Sequence, residues 1–118
     1  MKHLIIILAT ISTFTLNAQI AKFNFTDTFV NETFETSKHT RTNVKVSKYN
    51  VIVNSKVYKI KDTMYSKEES VYTNTAYQCT NEGKTYLIHV FKDHRYNDLL
   101  SVSVARGGVK TNFYNINQ

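Results

Sequence analysis

Residues 71–91 constrain the fold of this chain more than any other stretch. They read VYTNTAYQC, then TNEGK, then TYLIHVF. Two apolar-alternating runs flank a short connection with Gly83 near its end, which is the pattern of a β-hairpin. On the first arm Val71, Thr73, Thr75, Tyr77 and Cys79 share a face. On the second, Tyr86, Ile88 and Val90 share one face, and Leu87, His89 and Phe91 share the other. An arm apolar on both faces suits a sheet that is covered on both sides. The hairpin is therefore expected at the centre of a small all-β domain.

The same period recurs elsewhere. Residues 22–28 predict a strand, with Phe23, Phe25 and Phe29 on one side and Asp27 as the exception. Residues 43–61 predict a meander: Val44 and Val46, then Val51 and Val53, then Val57, Tyr58 and Ile60, with turns at 47–50 and 54–55. Residues 99–105 place Leu100, Val102 and Val104 on one face and Ser101 and Ser103 on the other. Arg106-Gly107-Gly108 then turns the chain, because glycine accepts a positive φ, and residues 109–116 close it with Phe113 and Tyr114. Residues 30–42 are polar and rich in Thr, so a long loop, an extended ribbon and a helix capped by Asp27 all compete. The Thr content argues for extended structure. Residues 62–70 and 92–98 read as polar loops. The expectation is an all-β, small antiparallel meander of about seven strands, forming a partly closed barrel or a two-layer sandwich. Pro is absent, so sheet edges are expected to be guarded by Lys, Glu and loops.

The N-terminus reads differently. Lys2 and His3 precede an apolar run over residues 4–14, and Leu16-Asn17-Ala18 offers a small residue before Gln19. That is the layout of a secretory signal peptide, and the run is shorter than the roughly 20 residues that span a bilayer. A retained N-terminal anchor is the competing reading. No Cys ends the run, so lipid attachment at a new N-terminal Cys is not available. The expected organisation is a signal peptide over 1–18 and a single β domain over 19–118, exported to the periplasm or the medium, with no membrane span after cleavage.

Export bears on Cys79, the single cysteine. It has no intramolecular partner, so it is buried, reactive, or paired with another chain. Burial as a small core hydrophobe is the expected state. The chain carries a net charge of +6, and removal of Lys2 with residues 1–18 takes this to +5. Lys45, Lys48, Lys56, Lys59 and Lys61 alternate with apolar residues, which on a strand gives a solvated basic face. A basic excess of this size is compatible with an anionic partner.

The runs NVIVNSKVYKI, YQCTNEGKTYLIHVFKD and LLSVSV, with the closing FYNI, resemble a type of small exported β-rich protein from Bacteroidetes. In that type a short hairpin precedes a Y-x-C-x-x-x-G-K-like hairpin and a terminal aromatic strand. The junction LNAQ is similar to its cleavage sites. The resemblance spans most of the expected mature chain. It implies export and a β-rich fold, and it carries no catalytic residues.

Chemistry leaves few marks. His89 and His94 flank Asp93, with Asp98 beyond, and His and carboxylates ligate zinc. However, His89 falls on a strand and His94 in a loop, so spacing imposes no shared face, and neither a metal nor another cofactor is expected. There is no G-x-S-x-G elbow and no phosphate-cradling glycine loop, and the acids are scattered, unlike a two-carboxylate hydrolase pair. Tyr72, Tyr77, Tyr86 and Lys84 are candidate ligand-binding residues, an aromatic and basic set of the kind on which bases stack. Export makes nucleic acid the wrong partner, and a sugar platform built on Trp is excluded because there is none. The reading is a domain that binds rather than catalyses, its partner an anionic envelope component or another protein. The alternative is a small-molecule carrier barrel with an apolar, aromatic cavity. A small hydrolase or metal enzyme using His89, His94 and Cys79 ranks last.

Overall fold

A computed structural model describes residues 18–93, 95 and 98–116. The expected signal segment lies outside the described residues except for Ala18, and so does His94. The described chain is eight strands: β1 Gln19–Val30, β2 Thr33–Val46, β3 Asn50–Val53, β4 Lys56–Glu68, β5 Tyr72–Asn81, β6 Lys84–Asp93, β7 Leu99–Arg106 and β8 Val109–Tyr114. Each pairs antiparallel with its sequence neighbours, and β8 returns to β1 through pairs from Phe25↔Tyr114 to Val30↔Val109. One sheet therefore closes into a ring, and the two-layer alternative falls away. In a ring every strand has two neighbours, so β5 and β6 have no central place of the kind the sequence suggested. No helix among the described residues is long and apolar enough to cross a membrane.

Tight turns set the register. At Asn31-Glu32, Glu82-Gly83 and Gly107-Gly108 both central residues have positive φ, the backbone whose twist matches a two-residue hairpin. Gly108 has a second constraint: a Cβ there would lie 2.7 Å from Asn31 Oδ1. The Asn31 amide also donates to the Gly108 carbonyl at 2.8 Å, so the β1–β2 and β7–β8 turns are bolted together.

The ring is irregular because β3 has 4 residues while β2 and β4 have 14 and 13. β3 joins β2 at residues 44–46 and β4 at residues 56–59. Beyond it, residues 33–43 of β2 pair only with β1, and residues 62–68 of β4 only with β5. These flared arms explain two departures from the sequence reading. Residues 30–42 form the ribbon rather than a loop or a helix. Residues 62–68, expected as a loop, continue β4; every one is exposed, so no apolar alternation marks the strand. Lys38, Lys61 and Lys67 stand on the open edges, as charged edge residues do to discourage further pairing. The Lys67–Glu69 pair at 3.9 Å is 72% and 42% exposed and adds little stability.

The inner face carries the core. Val44, Val51, Ile88, Val90 and Val102 are buried together with Phe23 and Tyr58, and Ala21, Ile60 and Phe113 pack against them. Each fully buried Val or Ile contributes about 1.5–3 kcal/mol. A register shift between Phe91 and Lys92 turns Leu99 into this core and leaves Leu100 41% exposed, reversing the expected placement of Leu100. Cys79 is fully buried here. Burial pushes its thiol up to about 11, so at neutral pH it is a protonated, inaccessible group and not a nucleophile.

Candidate functional site

The outward face of the same strands carries a trough. Strand alternation sends Ser101, Ser103 and Ala105 of β7 outward while Val102 and Val104 point inward. Register supplies taller neighbours on both sides. Ser101 lies between Tyr114 and Phe91, Ser103 between Asn112 and His89, and Ala105 between Lys110 and Leu87. A row of small side chains between larger ones leaves a groove. Its depth shows in exposure: Ser103 is 5% exposed and Ala76, opposite His89, is fully buried, although both point outward.

Two adjoining cavities follow this groove. One, of about 410 Å³, lies over Ser101 and Ser103 between Lys110 and the His89–Phe91 flank. The other, of about 830 Å³, lies over Ala105 and Leu87 and runs from Phe29 to Met64 and Arg106. They share Phe29 and Lys110, so they form one trough along β7. Its volume falls in the range of small-molecule sites, and its lining mixes Phe29, Phe91, Met64 and Leu87 with Asn, Gln, Ser and Lys side chains.

Aromatic stacks stiffen both banks. On one bank His89 stacks on Phe91 at 6.3 Å, Tyr65 meets His89 edge-on at 6.0 Å, and Tyr72 tilts against Phe91 at 5.8 Å. On the other, Phe25 stacks on Tyr114 at 5.9 Å and takes His39 edge-on at 5.2 Å. The Tyr114 hydroxyl donates to Asp27 at 3.0 Å, and Lys110 Nζ sits 4.8 Å from the Phe29 ring centre. His89 Nδ1 lies 3.2 Å from Asn74 Oδ1 and 3.4 Å from the Tyr65 hydroxyl. With Nδ1 donating to Asn74, Nε2 is the ring's acceptor. Burial first, and then Lys110, lowers the His89 pKa, so at neutral pH the ring is an uncharged hydrogen-bonding group.

The structure divides the residues singled out from sequence. Tyr72 packs on Phe91 at the end of the trough. Tyr77 and Tyr86 are on the opposite face, packed against the core, and burial followed by Cys79 raises the Tyr77 pKa. Lys84 is exposed, two residues from Tyr86 and on its side of β6. The four therefore do not form one face: Tyr86 and Lys84 stay together, Tyr77 lies deeper, and Tyr72 belongs to the other side. His89 is packed beside aromatics on the outward face, away from inward-facing Cys79. Among the described residues no group of three or more His, Cys, Asp or Glu is placed to hold a metal ion. Sequence reasoning missed Phe29, Phe91, Ala105 and Lys110. The Ser101–Ser103 alternation was visible, but the flanking register on β6 and β8 depends on the bulge at Phe91/Lys92, and Phe25 and Phe29 arrive only through the pairing of β1 with β8.

No family model, curated protein or solved structure matches this chain.

Proposed function

We propose that this chain is an exported β domain that acts by binding an elongated, partly apolar ligand in the trough along β7. The observation that supports this reading is the run Ser101, Ser103 and Ala105 between aromatic banks. A sheet face with no occupant has no need of a small-residue floor, and stiff rings on both sides lower the ordering cost of binding. Lys110, which lines both cavities of the trough, offers a charge to a ligand with an anionic group, such as an anionic envelope component or an acidic segment of another protein, while Glu32 at the far end confines that preference to the Lys110 side. Export is supported by the basic, apolar and small-residue pattern of residues 1–18 and by the Bacteroidetes resemblance. Mass measurement of the protein from its producing cells tests it, with Gln19 as the first residue of the mature chain.

The neutral fluorophore Nile red tests the trough itself. The protein is expected to enhance its emission saturably. Ala105→Phe, which fills the floor, is expected to abolish the enhancement at unchanged melting temperature. Equal enhancement by the variant would place apolar binding elsewhere and overturn the assignment.

A further inference from the structure

The ring interior holds a second site on the inward face, which meets the wider cavity of the trough at Tyr86 and Arg106. Above the packed core, a cavity of about 350 Å³ opens at the end of the ring between Tyr58 of β4, Tyr86 of β6, Val104 of β7 and Phe113 of β8. Tyr58 and Tyr86 meet edge-on at 4.9 Å and form its aromatic wall. Two cations converge on that wall. Lys56 Nζ is 5.5 Å from the Tyr58 ring centre and 5.6 Å from that of Tyr86, and the Arg106 guanidinium is 5.9 Å from Tyr86. Lys84 stands on the same side of β6, beyond Tyr86. Tyr58 is the main cause that raises the Lys56 pKa, with smaller contributions from Tyr86 and Glu82 against some desolvation. Lys56 therefore stays charged at physiological pH. The mouth sets Lys56, Lys84 and Arg106 against the single acid that Lys56 feels, Glu82.

We propose that this mouth binds a small aromatic acid, its carboxylate held between Lys56 and Arg106 beside Tyr86 and its ring seated against Tyr58, Val104 and Phe113. The combination is specific in chemistry. Cations on ring faces are already oriented, a carboxylate accepts charge-assisted hydrogen bonds from both, and the apolar pocket behind them takes a flat ring. Polar anions gain only the first part and neutral aromatics only the second.

The test uses 1-naphthoate and its neutral counterpart 1-naphthalenemethanol, titrated into the ¹⁵N-labelled protein. Naphthoate is expected to shift amides of residues 56–58, 84–86, 104–106 and 111–113 saturably, and to bind about tenfold or more tighter than the alcohol, the range of charge-assisted hydrogen bonds. The Lys56→Gln/Arg106→Gln double variant changes two exposed side chains and should keep its melting temperature while losing that preference. Thr111→Phe, which fills the cavity, should lose both probes. Equal affinity for acid and alcohol, saturable shifts confined to residues outside the mouth, or no saturable binding would each overturn the proposal.

Discussion

The inner and outer faces of β6 and β7 are made by alternate residues of the same strands, yet they do opposite things. Inward, Ile88, Val90 and Val102 fill the core with branched side chains below the mouth lined by Tyr86 and Val104. Outward, Ser101, Ser103 and Ala105 hold space open, and His89 and Phe91 wall it. Filling serves stability, and the kept groove is where binding is proposed. One strand serves both because its side chains alternate across the sheet.

Substitutions on the two faces should separate stability from binding. The largest effect is expected inside: Ile88→Ala removes a fully buried side chain and should cost about 2–5 kcal/mol, lowering the melting temperature by about 10 °C or more in a thermal denaturation. A drop no larger than that of Leu87→Ala, on the exposed side, would erase the distinction between the faces. Cys79→Ser should cost about 1–3 kcal/mol by burying a hydroxyl among apolar neighbours, and the native thiol should stay unreactive towards Ellman's reagent until the protein unfolds. Rapid labelling of the folded protein would mean that Cys79 is not closed inside. Gly108→Ala should cost about 1–2 kcal/mol for its left-handed backbone, with an additional shift of Asn31, readable as a lower denaturation midpoint. Gly83→Ala, with the same sign of φ and open space around the new methyl, sharpens the comparison by lacking the clash.

The smallest effect is electrostatic and belongs to the outer face. The folded-state pKa of His89 lies below its ordinary 6.5. As pH falls, the unfolded chain takes up the proton first. His89 thus contributes nothing adverse above pH 6.5 and subtracts stability as pH falls below it and through the folded value. Melting temperature measured from pH 7 to pH 5 should decline more steeply for the wild type than for His89→Gln. Parallel curves would mean that the ring titrates as it does in water.

How much of this was legible follows the same division. The inner face and three of the turns are local: Val51-x-Val53, Ile88-x-Val90 and Val102-x-Val104 alternate, and Asn54, Gly83 and Gly107-Gly108 mark the bends, so an all-β meander could be read directly. What escaped was non-local or unmarked. Residues 62–68 pair on one side only and bury nothing, so they looked like loop. Leu99 and Leu100 exchanged places because a bulge shifts the register, which sequence does not announce. Closure of β8 on β1 is what brings Phe29 beside Lys110, and no spacing in the chain encodes it. The aromatic-basic set is divided by the sheet: Tyr86 and Lys84 stay on one side of β6, where Tyr86 meets Tyr58, Lys56 and Arg106 from β4 and β7, and Tyr72 lies on the other.

The most direct test of the trough is amide and methyl chemical-shift mapping of the full protein with Nile red. The account predicts saturable shifts at Ser101, Ser103, Ala105, His89, Phe91 and Lys110, with the side-chain methyl signals of the inward Val51, Ile88 and Val102 unmoved. Shifts centred on the inward residues, or none that saturate, would contradict it.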